Sequence, residues 1–373
     1  MRIVAGANQR TVSIFPIVNR LKIVYNTSIM FIPIYSITDR LLSNIKRINS
    51  IIFDLNSKRF SGVVLYELER SAREISAFAS TSIEGNPLPL TDVKQILKTQ
   101  PNHLRKSEQE VVNYNKALED LNKKLQKGSV SFSRELILSV HKQVTYKLAP
   151  DFQPGKLRED AVFVNDPKTL KTVYWPPDHK DVSKLLNELA EFVLKNKGTV
   201  DPLIIAGIFH KQFVVIHPFM DGNGRTARIS TKVLLADMGL DTFNLFSFEN
   251  YYNNNVYGYF KNVGVRGNYY EVADSIDFTI WLEYFTDGII DELLRVKKKL
   301  PEISVNPETE FLPYHKKILK IIKNKGFIRD REYRRYTDRA KATRSMDFKK
   351  LTDLGIIEKK GKGRATYYKL TEK

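Results

Sequence analysis

The 373-residue chain contains no cysteine. Disulfide scaffolds, thiolate metal sites and cysteine nucleophiles are therefore excluded, and a cytoplasmic location fits that absence without being required by it. A long apolar run is also missing. The most apolar early stretch, Val12–Tyr35, is interrupted by Arg20 and Lys22, and its longest clean piece, Ile29–Tyr35, contains Pro33. A membrane-spanning helix needs about 20 mostly apolar residues. A signal peptide needs a short apolar core followed by a small-residue cleavage site. Neither pattern is present, so no membrane partner is expected. Residues 1–29 read as an unstructured extension, with Met30 as a candidate start of the folded chain.

Acidic residues are scarce at both ends. Residues 1–29 carry four Arg or Lys and no acid, and residues 312–373 carry 20 Lys or Arg against 7 Asp or Glu. Of the net charge of +18, only +1 is left for residues 30–311. The chain reads as a near-neutral body with a basic tail, and a polyanionic partner would bind the tail. The length predicts two or three domains.

The body reads as helices. Apolar residues recur at helical spacing over Ile37–Leu55, Val64–Ala79, Glu108–Lys124, Arg134–Leu148, Val182–Leu194 and Leu203–Ile216. Ala161–Pro177 differs, with Val162, Val164, Val173, Tyr174 and Trp175 around a turn-like Asn165–Asp166–Pro167, which predicts a short β-hairpin.

Residues 217–228 read His-Pro-Phe-Met-Asp-Gly-Asn-Gly-Arg-Thr-Ala-Arg. As local structure this is a helix–loop–helix corner, with Pro218 stopping one helix and Gly222 and Gly224 making the turn. The corner also concentrates chemistry. His217 titrates near neutral pH, and Asp221 is a hard oxygen ligand suited to Mg²⁺. Gly222, Asn223 and Gly224 leave successive backbone N–H groups free to face an anion, at the positive end of the following helix. Arg225 and Arg228, three residues apart, share one helix face and can fork onto phosphate oxygens. The set describes a nucleotide-phosphate site. Gly222-x-Gly224-x-x-Ala227 also matches the bare dinucleotide fingerprint, but that motif must follow a strand, and Leu203–Ile216 carries helical spacing.

This motif resembles the signature of Fic-domain proteins, enzymes that move AMP from ATP onto protein hydroxyls. Flanking features extend the resemblance over residues 36–300: Pro154-Gly155-x-x-Arg158, the hairpin closed by Tyr174-Trp175-Pro176-Pro177, His210 and Phe213 before the motif, and Trp281-Leu282 after it. The resemblance implies that His217 deprotonates the target Ser, Thr or Tyr hydroxyl and that Asp221 holds Mg²⁺ bridging the α- and β-phosphates. The binding segment for ATP would be Gly222, Asn223, Gly224, Arg225, Thr226, Ala227 and Arg228, with Arg225 on the β-phosphate side and Arg228 on the γ-phosphate. A relative that transfers a terminal phosphate carries Lys where this chain has Gly224, so Gly224 favours AMP transfer. The hairpin over 162–176 would be a flap that pairs with an extended target segment, or a purely structural hairpin. Tyr259-Phe260 resembles an aromatic pair lining an adenine pocket, with core packing as the other reading.

Upstream, Ser80-Thr-Ser-Ile-Glu84-Gly85-Asn86 reads locally as a helix end capped by Gly85. By resemblance, Ser80-x-x-x-Glu84-Gly85 is an inhibitory motif at the end of a helix near 72–86, in which Glu84 reaches Arg228 and occupies the γ-phosphate position.

The tail resembles a winged helix-turn-helix: a first helix over His315–Asn324, a second over Arg331–Tyr336 and a recognition helix over Ala342–Leu354. Met346, Phe348, Leu351 and Leu354 would face inward and Arg344, Lys349 and Lys350 outward, followed by a two-stranded wing with a Lys-Lys-Gly-Lys-Gly-Arg turn. Such a module binds duplex DNA or protein. The expected organisation is an extension (1–35), a mainly α Fic-type helical bundle with a β-hairpin flap (36–300), a linker (301–313) and the winged helix (314–373). The expected activity is an autoinhibited transfer of AMP to the protein itself or a target. The rivals are a DNA-binding regulator with a nucleotide-sensing Fic domain, and removal of AMP. A homodimer is compatible with the sequence and not specified by it.

Overall fold

The computed structural model describes residues 31–57, 62–99, 101–126, 130–148, 154–166, 169, 171–237, 247–304, 312–353 and 356–371. The expected extension over 1–29 lies outside these. Residues 31–35 belong to the body: Phe31 packs edge-on against Phe192 and Phe278, and the Phe278 N–H donates to the Ile34 carbonyl at 2.8 Å. The boundary expected at residue 35 therefore falls inside packed chain.

Among the described residues the body comprises α1 (Asp39–Ser57), α2 (Gly62–Ile83), α3 (Leu90–Thr99), α4 (Lys106–Gln126), α5 (Arg134–Val144), β1 (Val164–Asn165), β2 (Thr172–Trp175), α6 (His179–Asn196), α7 (Pro202–Ile216), α8 (Asn223–Asp237), α9 (Phe248–Asn254), α10 (Val256–Val263), β3 (Gly267–Asn268), α11 (Tyr269–Val272) and α12 (Thr279–Ser304). No helix among them is long and apolar enough to cross a membrane.

Helix α7 is apolar on nearly every side, which places it at the centre. It packs on α6, α8 and α12, while α8 is flanked by α2, α4 and α5. Asp201 caps α7 by accepting from the Leu203 N–H, and Pro202 occupies its first turn, where its missing donor costs nothing. The central pair α7–α8 is therefore buried, and the 217–228 motif comprises the loop between them (217–222) and the first turn and a half of α8. β1 pairs antiparallel with β2, and β3 pairs with β2 in parallel. Ile37 and Leu42, expected on the apolar face of the first helix, are exposed, and the buried stripe is Leu41, Ile45, Ile48, Ile51, Ile52 and Leu55.

α12 continues through Ser304, so the linker expected from 301 begins four residues inside a helix. The tail comprises α13 (Pro313–Lys325), α14 (Asp330–Tyr333), α15 (Lys341–Asp353) and the antiparallel pair β4 (Ile357–Lys360) and β5 (Tyr367–Leu370). Ile328 extends this pair by bridging to Tyr368. The tail has its own core, centred on Ile318, Ile322, Ile328, Tyr333, Phe348, Leu351, Ile356 and Ile357.

Two expectations for α15 are reversed. Met346 is 68% exposed, whereas Arg344 is buried and forks onto both Asp330 oxygens at 2.8 and 2.9 Å. The inward face is set by Arg344, Asp347, Phe348 and Leu351, at i, i+3, i+4 and i+7, which leaves Met346 on the opposite side. Leu354 lies outside the described residues.

Candidate active site

α7 ends at His217, which adopts the left-handed conformation (φ 51°, ψ 59°) and turns the chain out of the helix. This is unusual for a residue other than glycine and marks a constrained position. The imidazole Nδ1 lies 3.3 Å from the Val214 carbonyl. With the Nδ1 proton directed there, the lone pair is on Nε2. Burial lowers the His217 pKa below its ordinary 6.5, against the opposing pull of the Val214 carbonyl and Glu84. The ring is neutral at pH 7 and able to accept a proton.

Asn223 closes the loop on itself: the Phe219 N–H donates to its Oδ1 at 2.9 Å and its Nδ2 donates to the Phe219 carbonyl at 2.7 Å. Gly222 has φ +77°, and a Cβ there would approach Thr145 Cγ2 to 2.8 Å, so glycine is required twice over. Burial would raise the Asp221 pKa, but Arg225 and the Gly222 N–H outweigh it and hold the carboxyl ionised below its usual range.

Two residues outside the motif hold it in place. His141 stacks flat on Phe219 at 3.6 Å, accepts from the Gly155 N–H at Nδ1 (2.9 Å) and lies 3.0 Å from the Asp221 carbonyl at Nε2. An acceptor at Nδ1 and a donor at Nε2 define the neutral Nε2–H tautomer. Burial pushes the His141 pKa down to about 4. Arg158 donates to the carbonyls of His217 (2.9 Å), Asp160 (3.0 Å) and Pro177, so one guanidinium joins the motif to the chain leaving β2. Tyr174, on β2, adds a bond from its hydroxyl to the Val215 carbonyl at 2.8 Å.

A pH dependence follows. Unfolded His141 binds a proton below about 6.5 and the folded ring does not until about 4. Its neutral form thus contributes stability that is complete above 6.5 and is lost as pH falls towards 4, by about 3 kcal/mol. The melting temperature should fall between pH 7 and 4.5, and fall less in His141→Gln. An equal slope in both proteins would remove His141 from this role. His210, pushed by burial to about 3, contributes with the same sign in both proteins.

The arginines occupy one face of α8. Arg225 Nη2 binds both Asp221 oxygens, at 3.0 and 2.9 Å, and its Nη1 faces Glu110 Oε1 at 3.8 Å. Arg228 is fully buried and donates to Ser80 Oγ (2.7 Å), the Ser80 carbonyl (2.9 Å) and Glu84 Oε1 (2.7 Å). Glu84 lies directly over Gly224, where a Cβ would come within 2.1 Å of its Oε1. Buried Arg225 Nε, Arg225 Nη1 and Arg228 Nη1 make no hydrogen bond. Buried donors are normally satisfied, so these three describe unmet capacity for an anion.

One turn along α8, Lys232 donates to Ser76 Oγ (2.7 Å) and pairs with buried Glu249 at 2.9 Å, which also accepts from the Tyr114 hydroxyl at 2.7 Å. Thus Ser76 and Ser80 on α2 and Glu84 just past its end, four residues apart, meet Lys232 and Arg228 on α8. Thr226 and Ala227 are buried within α8 and face its packing. Phe260 is half-exposed and packs on Tyr259, which is itself core, bonded to His210 Nε2 at 3.0 Å and stacked on Tyr252. His141, Glu110, Ser76 and Lys232 were not legible as site residues. A lone His on the apolar face of Arg134–Leu148 was the only local signal among them.

The helical scaffold thus brings together a neutral histidine, a carboxylate and two arginines around a glycine corner. In comparison with known proteins, the chain matches the Fic/DOC family model over residues 131–235. It is 31% identical over 166 residues to the protein adenylyltransferase Fic of Nematostella vectensis, covering 43% of this chain and 37% of that protein. It is 28% identical over 211 residues to the protein adenylyltransferase fic-1 of Caenorhabditis elegans, covering 56% and 40%. The chain thus spans about two-fifths of the length of these relatives. Among solved structures, a Fic family protein from Desulfovibrio desulfuricans superposes with a TM-score of 0.60 at 19% identity, covering 92% of this chain and 99% of that one. Fic-1 of C. elegans superposes with a TM-score of 0.55 at 21% identity, covering 71% and 74%.

Proposed function

We propose that the body is an autoinhibited protein adenylyltransferase that moves AMP from ATP onto a Ser, Thr or Tyr hydroxyl of itself or another protein. The observation that carries this reading is the convergence on one corner of a neutral His217, the Asp221 carboxylate and three unsatisfied guanidinium donors. His217 Nε2 accepts the hydroxyl proton as its oxygen attacks the α-phosphorus and pyrophosphate departs. Charge developing on the phosphates meets Arg225, Arg228 and the first N–H groups of α8.

The residues present suit a magnesium ion. No cluster of three or more His, Asp or Glu able to hold a metal occurs among the described residues. A cation here would have Asp221 as its carboxylate and would need its other ligands from phosphate and water, the usual manner for Mg²⁺. When bound, it would neutralise phosphate charge and orient the leaving group. Phe260, beyond Tyr259, is proposed to face the adenine. β1 is an edge strand of the three-stranded sheet, the position from which a flap would pair with an extended target segment. Intact-mass spectrometry after incubation with Mg-ATP tests the activity: a gain of one AMP on the chain or an added protein supports it, and release of ADP with a gain of phosphate refutes it.

The tail is proposed to be a winged helix-turn-helix, with α15 as recognition helix and the 359–364 turn as wing. It is proposed to contact duplex DNA. Lys359 and Lys360, which end β4, and Lys362, in the turn that follows, are exposed. Binding of the full chain to a duplex should weaken steeply with salt. Replacing the three lysines by Gln should lower the slope of log K against log salt by about two to three. Absence of any binding at low salt favours a protein-binding tail.

A further inference from the structure

We infer that Glu110 is a positioning residue that receives Arg225 when Asp221 takes up a metal–nucleotide, and that it ties this arginine to the turn carrying Glu84. The inference rests on the phosphate-site reading above. Arg225 is buried, and its one close partner is Asp221, bound through Nη2 alone. Its Nη1 faces Glu110 Oε1 at 3.8 Å, about 1 Å beyond hydrogen-bond distance. A cation at Asp221 competes with the guanidinium for the same two oxygens. A buried guanidinium stripped of its carboxylate is strongly disfavoured, and beside the phosphate it is proposed to face, Nη1 calls for an acid of its own within reach. Glu110 is that acid, and a small rotation completes the bond.

The other Glu110 oxygen is already engaged. Asn86 Nδ2 donates to Glu110 Oε2 at 2.8 Å and to the Ser107 carbonyl at 2.8 Å, and Asn86 Oδ1 accepts from the Leu88 N–H at 3.2 Å. Asn86 follows Glu84 by two residues, and its own N–H closes the turn onto the Thr81 carbonyl at 3.1 Å. The turn over 84–86 is thus connected to both arginines of α8, directly to Arg228 through Glu84 and to Arg225 through Asn86 and Glu110.

The test uses the full chain carrying Glu84→Gly and measures binding of a fluorescent ATP analogue as Mg²⁺ is titrated. Adding Glu110→Gln should raise the Mg²⁺ concentration for half-maximal binding about tenfold, because Asp221 must then hold Arg225 and the cation unaided. Binding of the metal-free nucleotide should not weaken. Asn86→Ala, which removes the tie to the turn and leaves the acid, should leave the Mg²⁺ midpoint unchanged. A midpoint unmoved by Glu110→Gln overturns the inference, as does an equal shift in Asn86→Ala, which would reduce Glu110 to a support for the turn. If Glu110→Gln fails to fold by thermal melting, Glu110→Asp, whose acid is drawn back, must give a smaller shift in the same direction, and no shift overturns the inference. A Glu84→Gly parent that binds no nucleotide at any Mg²⁺ concentration would instead remove the phosphate-site reading and this inference with it.

Discussion

Replacing His217 by Asn or Ala should reduce AMP transfer by about 10²- to 10⁴-fold, the usual contribution of a general base, while leaving nucleotide binding nearly intact. Binding survives because the groups proposed to hold phosphate are elsewhere: the N–H groups of α8, Arg225, Arg228 and Asp221. Asn is the better control for structure, since position 217 has φ 51° and Asn tolerates the left-handed region more readily than Ala. Transfer of label from ATP to protein, measured beside nucleotide affinity in the Glu84→Gly background, separates the two effects. Because burial lowers the His217 pKa, the acid limb of the pH–rate profile should fall below 6.5. A His217 variant with near-normal turnover would show that the hydroxyl loses its proton elsewhere, and the proposed role would fail.

How much of this was legible from residues alone depended on distance along the chain. The 217–228 corner was legible because its chemistry is contiguous: helix end, glycine turn and two arginines follow from twelve residues, and α7 and α8 place them as the spacing requires. The pairing of Glu84 with Arg228 was anticipated through family resemblance and no local rule contains it, whereas the bonds from Arg228 to Ser80 were not anticipated. The supports of the corner left no such trace. His141 bonds to a carbonyl 80 residues away and Asn86 to a carboxylate 24 residues away, and neither partner alters the pattern around the other. α9 and α10 are seven and eight residues long and separated by Asn255 alone, too short for a period to declare itself. The error in α15 has a different cause. Assigning methionine inward and arginine outward is sound on average, but the half-exposed Asp330 carboxylate pairs with Arg344 and draws it in, and the apolar register then turns Met346 out.

Removing the Glu84 carboxylate should raise AMP transfer about ten- to hundredfold. Arg228 has no freedom while Glu84 is present: it is fully buried, its Nη2 is shared between Glu84 and the Ser80 carbonyl, and its Nε is held by Ser80 Oγ. A phosphate directed to Arg228 must displace Glu84, whose Oε1 also fills the space above Gly224. A charge-assisted hydrogen bond contributes about 1.5–3 kcal/mol, which sets the expected factor if this competition is the whole barrier. In Glu84→Gly the guanidinium is freed on one side and Ser80 still orients the other, so Arg228 remains aimed at the nucleotide. Arg228→Ala should not mimic it, since that change removes the lock together with the group that positions ATP. Glu84→Gly combined with His217→Ala should return the signal to background, which shows that the gain runs through the proposed base. An unchanged signal in Glu84→Gly would reduce Glu84 to a helix-end residue that happens to bind Arg228. Accumulation of modified protein can also arise because AMP is no longer removed. A chase of pre-modified wild-type protein without ATP distinguishes the two: label that persists assigns Glu84 to inhibition of transfer, and label that is lost assigns it to removal, with the carboxylate placed to direct water at the same phosphorus.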